Sequence, residues 1–108
     1  MQERRVEKLN HLIEEKISEI IKKELGLPLD MLLTVTEVKV DQRLVEAKIW
    51  LSIFPDQEAE FWLNKIIQAK GFLHALLKRK INVYHCPNLR FYLNPVKYSE
   101  AELNLFKK

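Results

Sequence analysis

The sequence predicts one α+β domain spanning residues 1–108, with a three-stranded sheet and helices packed on it. The chain has 108 residues, 47% of them hydrophobic, which suffices for one core but not for two domains. Some segments repeat apolar residues every three or four positions, whereas others alternate them or are rich in β-branched residues. The order of these segments is helix, strand, strand, helix, helix, strand, helix, and the helix pair connects strands two and three.

The first helix is predicted over residues 4–25. Its apolar residues recur at three- and four-residue spacing, with Glu and Lys between them, which is the period of an amphipathic helix. They are Val6, Leu9, Ile13, Ile17, Ile20 and Ile21. Gly26 and Pro28 then end the helix.

Two strands follow, at residues 32–40 (LLTVTEVKV) and 44–54 (LVEAKIWLSIF). The first is rich in β-branched residues, and the second alternates apolar and polar side chains. Because only the short polar link Asp41-Gln42-Arg43 separates them, we expect an antiparallel hairpin.

A helix pair should come next. Pro55 ends the second strand, Asp56 is a candidate helix cap, and the helical period returns from Gln57 until it breaks at Gly71. A further helix then runs to about Lys80.

The third strand is predicted after the turn at residues 86–88. Leu89, Phe91 and Leu93 alternate there with polar or amphipathic side chains. A last short helix is expected over residues 99–106, with Ser99 as its cap and Glu102 at the capping-box position.

Charge is distributed unevenly along the chain. Residues 1–60 hold 9 basic and 13 acidic side chains, whereas residues 61–99 hold 7 basic and no acidic ones. A window that lacks acids indicates a polyanionic partner. The plainer alternative is that this window is mostly core, with a few exposed positions that happen to be basic.

The most informative stretch is the helix interruption at Ala69, Lys70 and Gly71. We expect Ala69 to let the two helices approach each other and Gly71 to adopt a backbone conformation that a side chain would forbid. A helix N-terminus would then point outward, where it can attract phosphate. On the next helix, Lys70, His74 and Lys78 fall within an arc of about 80°. Phe72, Leu73, Leu76 and Leu77 should form the opposite, buried face. Arg79 and Lys80 extend the charge, although cations also suit a helix C-terminus whatever the function.

Aromatic side chains should also lie on the sheet face opposite Ala47, Ile49, Leu51 and Ile53. Trp50 and Phe54 share that face with Ser52 and lie beside Tyr92. Exposed aromatics on a sheet can stack on unpaired bases. We favour the alternative that the N-terminal or C-terminal helix covers them.

The residues give little support to catalysis or to a bound metal. Cys86 is the single cysteine, so no intrachain disulfide can form, and a reducing cytosol fits best. No signal peptide or membrane span is expected, because the N-terminus is charged and long apolar runs are absent. The His and Cys residues have no recognisable metal spacing, and no nucleophile–base pair or cofactor motif is present. We therefore expect neither an enzyme nor a cofactor.

Several pieces of the chain, taken in order, resemble the ribosome-binding factor A family of bacteria. They are residues 4–6 (RRV), 33–38 (LTVTEV), 47–52 (AKIWLS), 69–73 (AKGFL) and 86–91 (CPNLRF). The resemblance implies a KH-like fold of type II topology in which Ala-x-Gly replaces the phosphate-binding Gly-x-x-Gly loop. It also implies RNA binding without catalysis, in maturation of the 30S subunit and processing of 16S rRNA.

The chain departs from the family pattern at three places. His74 occupies a position that resembles an Arg in the family, and Leu27-Pro28 replaces the usual Asp-Pro. Asn94 stands where an Asp is common after the third strand. An RNA contact through His74 would be weaker than one through Arg at neutral pH.

These observations predict a cytoplasmic monomer without a membrane or small-molecule partner, and the resemblance implies that it binds 16S rRNA and the free 30S subunit. The residues expected to contact RNA are Arg4, Arg5, Lys65, Lys70, Gly71, His74, Lys78, Arg79, Lys80 and Arg90. The alternative is a protein-interaction domain that docks an acidic protein through the same basic surface, because charge asymmetry does not distinguish one polyanion from another.

Overall fold

The computed structural model describes residues 2–83 and 85–94, with side chains from residue 4 onward. Its elements are α1 (Gln2–Glu24), β1 (Leu32–Val40), β2 (Glu46–Phe54), a 3-10 turn (Asp56–Glu58), α2 (Ala59–Gln68), α3 (Lys70–Ile81) and β3 (Asn88–Leu93). This order confirms the predicted one as far as the third strand. The helix predicted over residues 99–106 lies outside the described residues.

The three strands form one sheet in the order β1-β2-β3. β1 and β2 pair antiparallel, with a register shift between Val35 and Glu37, which confirms the predicted hairpin. β2 and β3 pair in parallel, with Ala47 opposite Leu89. Because parallel neighbours need a long crossover, α2 and α3 provide the connection between them.

The hydrophobic core lies on one face of this sheet. α1 packs against β1 and α3, and its isoleucines, such as Ile13 and Ile17, are fully buried. They join the inward-facing strand residues Ala47 and Ile49 and the α3 residue Leu73 in one cluster. Side chains alternate along a strand, so Trp50 points to the opposite face, away from α1. Of the two helices predicted to cover Trp50, α1 therefore does not, and the C-terminal helix lies outside the described residues.

The turn between β1 and β2 is built around Asp41. One oxygen of its carboxylate, Oδ1, accepts hydrogen bonds from the backbone N–H groups of Val45 and Glu46, at 2.7 and 3.1 Å. Leu44 adopts a positive φ of 60° in the same turn. Consequently β2 begins at Glu46, two residues after the predicted start.

The entry into α2 differs from its prediction. Asp56 does not cap this helix; it begins the 3-10 turn, and its carbonyl oxygen accepts a bond from the N–H of Ala59. α2 starts at Ala59, so the cap position falls on Glu58, and no side chain caps the helix there. Within residues 2–83 and 85–94, no helix has both the length and the apolarity needed to cross a membrane.

Candidate nucleic-acid interface

A single residue, Ala69, separates α2 from α3. Ala69 is both the C-cap of α2 and the N-cap of α3, with φ −88° and ψ 7°. Its N–H group donates to the carbonyl oxygens of Lys65 and Ile66, both at 3.1 Å, and its own carbonyl accepts from Leu73 at 2.9 Å. The backbone thus turns at Ala69 while most of its hydrogen bonding continues. The predicted kink between two helices is confirmed.

The break falls at Ala69, the first of the three residues predicted for it, and the role of Gly71 was predicted wrongly. Gly71 is the second residue of α3, and it does not have a positive φ. A Cβ built on it would meet nothing within 4 Å. The turn instead uses a ψ near zero at Ala69, a sparsely populated conformation that does not require glycine. The kink therefore does not need a glycine at position 71.

The N-terminus of α3 carries a partial positive charge at this break. The first N–H groups of a helix have no partner within it, and no side chain of the cap residue Ala69 satisfies them here. Lys70, the first residue of the helix, is exposed and adds a full charge. Amides and ammonium together favour an anion at this point.

A groove separates this helix end from β3. One depression of about 270 Å³ is lined by Lys70, Gly71 and His74 from α3, by Asn88, Leu89 and Arg90 at β3, and by Glu46 from β2. A second depression of about 250 Å³ is lined by Ile67, Lys70 and residues 89–92. Lys70 borders both. Four residues of the predicted site, Lys70, Gly71, His74 and Arg90, therefore meet in one place.

His74 has a structural contact in addition to lining the groove. The side chain is half-buried, and its Nε2 lies 3.1 Å from the carbonyl oxygen of Cys86. This contact joins α3 to the segment that precedes β3. His74 therefore helps to set the spacing between the two walls of the groove.

Arg90 forms an ion pair that the sequence did not reveal. Its Nε lies 2.9 Å from Oε2 of Glu46, and the two side chains are 62% and 30% exposed. A hydrogen bond with Tyr92 and the charge of Glu46 raise the pKa of Arg90 above its ordinary value. Glu46 thus brings a negative charge to a surface that is otherwise built from residues 61–99, which contain no acidic residue. Only the pairing of β2 with β3, which sets Glu46 opposite Asn88, brings it there.

The last turn of α3 extends the positive surface beyond the groove. Lys78, Arg79 and Lys80 are all exposed and line neither depression. The opposite side of the helix is buried at Leu73 and Leu77, as predicted.

Phe72 does not belong to that buried side, because it is 52% exposed. It precedes Leu73 by one residue, which rotates its side chain by about 100° around the helix and out of the core. The prediction for Phe72 was therefore wrong.

The remaining predicted cations lie apart from the groove. The ammonium of Lys65 sits 5.4 Å from the centre of the Phe61 ring on α2, at the distance of a cation–π contact. Arg4 and Arg5 are exposed on α1. Neither depression is lined by these three residues.

The comparisons with known proteins agree with one another. The family model described as ribosome-binding factor A matches residues 5–104. A relative named ribosome-binding factor A from Clostridium botulinum is 37% identical over 90 residues, which cover 81% of this chain and 78% of that protein.

Two structures of other proteins share the fold. The solution structure of a Thermotoga maritima protein described as a putative ribosome binding factor A matches with a TM-score of 0.69 at 21% identity. The match covers 88% of this chain and 92% of that protein. A homology model of Thermus thermophilus ribosome binding factor A, fitted into a cryo-electron microscopy map of a 30S complex, has a TM-score of 0.61 at 20% identity, covering 75% and 86%. The predicted KH-like α+β fold is thereby confirmed. Because the family model and the close relatives match most of the sequence, the chain belongs to the ribosome-binding factor A family.

Proposed function

We propose that this protein binds the maturing small ribosomal subunit by gripping the backbone of 16S rRNA in the groove between α3 and β3. The observation that carries the proposal is the convergence of the uncapped N-terminus of α3, Lys70 and Arg90 on one groove. The Thermus thermophilus relative fitted into a 30S complex supports the choice of partner. The family to which the chain belongs is named for ribosome binding.

The groove is suited to phosphate rather than to a particular base. Helix amides and ammonium groups recognise phosphate oxygens without reading sequence. Lys78, Arg79 and Lys80 would then hold neighbouring phosphates along the exposed end of α3. His74, through its contact with Cys86, keeps the two walls at a fixed separation.

The proposed mechanism is binding without catalysis, by a monomer in the cytoplasm. A protein that binds one conformation of the RNA better than another shifts the folding equilibrium by the difference in binding free energy. In this way the groove would favour the mature arrangement of the rRNA and so promote its processing by other factors.

Co-sedimentation with purified small subunits tests the proposal. The triple variant Lys70→Glu/Lys78→Glu/Arg79→Glu should lose association by at least tenfold, because each reversal replaces an attraction for phosphate with a repulsion. The matched control Lys8→Glu/Lys22→Glu/Lys23→Glu alters net charge equally on exposed positions of α1. Circular dichroism checks that both variants remain folded. Unchanged association of the first variant, or equal losses in both, would refute the assignment of the site.

A salt series and a nuclease treatment separate RNA from an acidic protein as the partner. Association through phosphate contacts should fall with salt at a log–log slope of about −0.7 to −0.9 per contact released. Digestion of the rRNA should abolish capture by the immobilised protein. Capture that survives digestion would instead support docking to an acidic protein.

A further inference from the structure

The face of the sheet that points away from α1 carries a stacked aromatic pair. Trp50 on β2 and Tyr92 on β3 lie directly opposite each other in the parallel register. Their ring centres are 5.5 Å apart and their planes differ by 28°. Both side chains are half-buried, so part of each ring remains accessible. Tyr92 also lines the second depression of the groove between α3 and β3, whereas Trp50 lines neither depression.

A row of three cations crosses the sheet next to this pair. Lys39, Lys48 and Arg90 occupy the same register on β1, β2 and β3. They therefore share a face with Trp50 and Tyr92. Each of these aromatics lies two residues, or about 6.6 Å, along its strand from the cation on that strand. Like charges directly opposite each other on a sheet are destabilising, so this row needs negative charge beside it.

Acidic neighbours neutralise the two outer cations but not the central one. Glu37 lies 3.5 Å from Lys39, and Glu46 lies 2.9 Å from Arg90. Within residues 4–83 and 85–94, no carboxylate oxygen comes within 4 Å of the Lys48 ammonium. Lys48 also lines a depression of about 350 Å³ together with Lys39 and Trp50. An unpaired cation thus stands beside an aromatic surface.

The backbone at Trp50 is fixed by hydrogen bonds that connect it to β1 and to Asn94, the residue after β3. The Asn94 Nδ2 group donates to Oγ1 of Thr36 at 3.0 Å, and the Thr36 hydroxyl donates to the carbonyl oxygen of Trp50 at 3.3 Å. These bonds therefore hold β1, β2 and the end of β3 together near Trp50. A rigid aromatic surface loses little conformational entropy when a flat ligand stacks on it.

We propose that this open face is a second RNA-binding surface, on which Trp50 stacks against an unpaired base while Lys48 and Lys39 bind the flanking phosphates. Aromatics on a sheet with cations beside them bind single strands, because bases can stack only when they are unpaired. The inference rests on the proposed function only in taking RNA as the partner. Arg90 belongs to the border between this face and the groove, so it is left unchanged in the tests.

Trp50 fluorescence measures occupation of this face directly. In a Trp62→Phe chain, Trp50 is the only tryptophan, and a stacked base should quench its emission. Titration with an octauridylate should therefore give saturable quenching. An RNA duplex of equal length should give none. Absence of quenching by the single strand would overturn the proposal.

Three substitutions assign the contacts. Lys48→Glu should weaken the octauridylate affinity by at least fivefold, whereas the control Lys22→Glu, exposed on α1, should leave it within twofold. Trp50→Leu should weaken it by at least tenfold, because this variant loses the aromatic ring on which the base stacks. Trp50→Phe keeps an aromatic ring and should retain most of the affinity. These two variants are read by anisotropy of a labelled octauridylate. If Lys48→Glu binds normally, or if Trp50→Leu and Trp50→Phe behave alike, the face is not the site.

The same titration separates this inference from the proposed function. In the Lys70→Glu/Lys78→Glu/Arg79→Glu background, quenching of Trp50 should persist although association with small subunits is lost. If quenching disappears with subunit association, the groove is the single RNA site and the second surface is refuted. If quenching persists and subunit association is also unchanged, the second surface stands and the groove assignment fails.

Discussion

The two glycines of this chain should respond to alanine with opposite signs. Gly26 ends α1 with φ +61°, a left-handed conformation that a Cβ disfavours. Gly71 lies inside α3, where glycine is a poorer helix former than alanine. A Cβ at either position would meet nothing within 4 Å, so neither substitution creates a clash. The difference between them is therefore a difference of backbone preference alone.

The magnitudes follow from these preferences. Gly26→Ala should lower the free energy of unfolding by about 1 kcal/mol, since the left-handed cost of about 1–2 kcal/mol is partly offset by the stiffer unfolded chain. Gly71→Ala should raise it by about 0.5 kcal/mol, because the position is near the start of the helix. Urea unfolding followed by circular dichroism measures both changes. Melting temperatures should move by about −4 to −8 °C and +2 to +4 °C respectively.

Either result could refute the reasoning. If Gly71→Ala destabilises the protein by as much as Gly26→Ala, then position 71 needs a glycine conformation and the break is not confined to Ala69. If Gly26→Ala is neutral, the end of α1 does not depend on the left-handed residue. Because a Cβ fits at both positions, both variants should keep the fold, and each serves as the control for the other.

Two further predictions concern the β1–β2 turn and the cysteine. Asp41→Ala should lower the free energy of unfolding in urea by about 1 kcal/mol, because two backbone N–H groups lose their acceptor. Asp41→Asn should lower it by less than half of that. Equal losses would contradict the hydrogen-bond explanation. Burial raises the pKa of the Cys86 thiol, and the charge of Lys78 lowers it by less. At mildly alkaline pH, the folded protein should therefore react with iodoacetamide at least about tenfold more slowly than the protein unfolded in guanidinium chloride. Equal rates would show that the thiol is not protected.

Local patterns predicted most of the elements. Three of these patterns depend only on residues close together in the chain: the isoleucine spacing of α1, the β-branched run of β1 and the alternation in β2. The structure has all three elements within two residues of the predicted bounds. The same kind of reasoning failed where two features lay close together. Pro55 and Asp56 resemble a helix start, but a 3-10 turn intervenes before α2. Gly71 resembles a helix break, but Ala69 makes it.

The candidate site was predicted in part. Two observations indicated a basic face: a window without acids, and the spacing of Lys70, His74 and Lys78 at one helical turn. Of these three residues, the groove contains Lys70 and His74. The assignment of RNA contacts to the ten predicted residues stays a prediction, as does the single-domain extent of residues 1–108. The family resemblance, carried by five short segments in order, is confirmed.

The sequence by itself determined the order of helices and strands, the uneven charge and the family, because each depends on residue identity and on spacing along the chain. Only the tertiary structure decided which distant side chains meet. The parallel pairing of β2 with β3 brings Glu46 to Arg90 and aligns Lys39, Lys48 and Arg90 across the sheet. Register between strands that are far apart in sequence is set by the packing of the whole core, so no local pattern contains it.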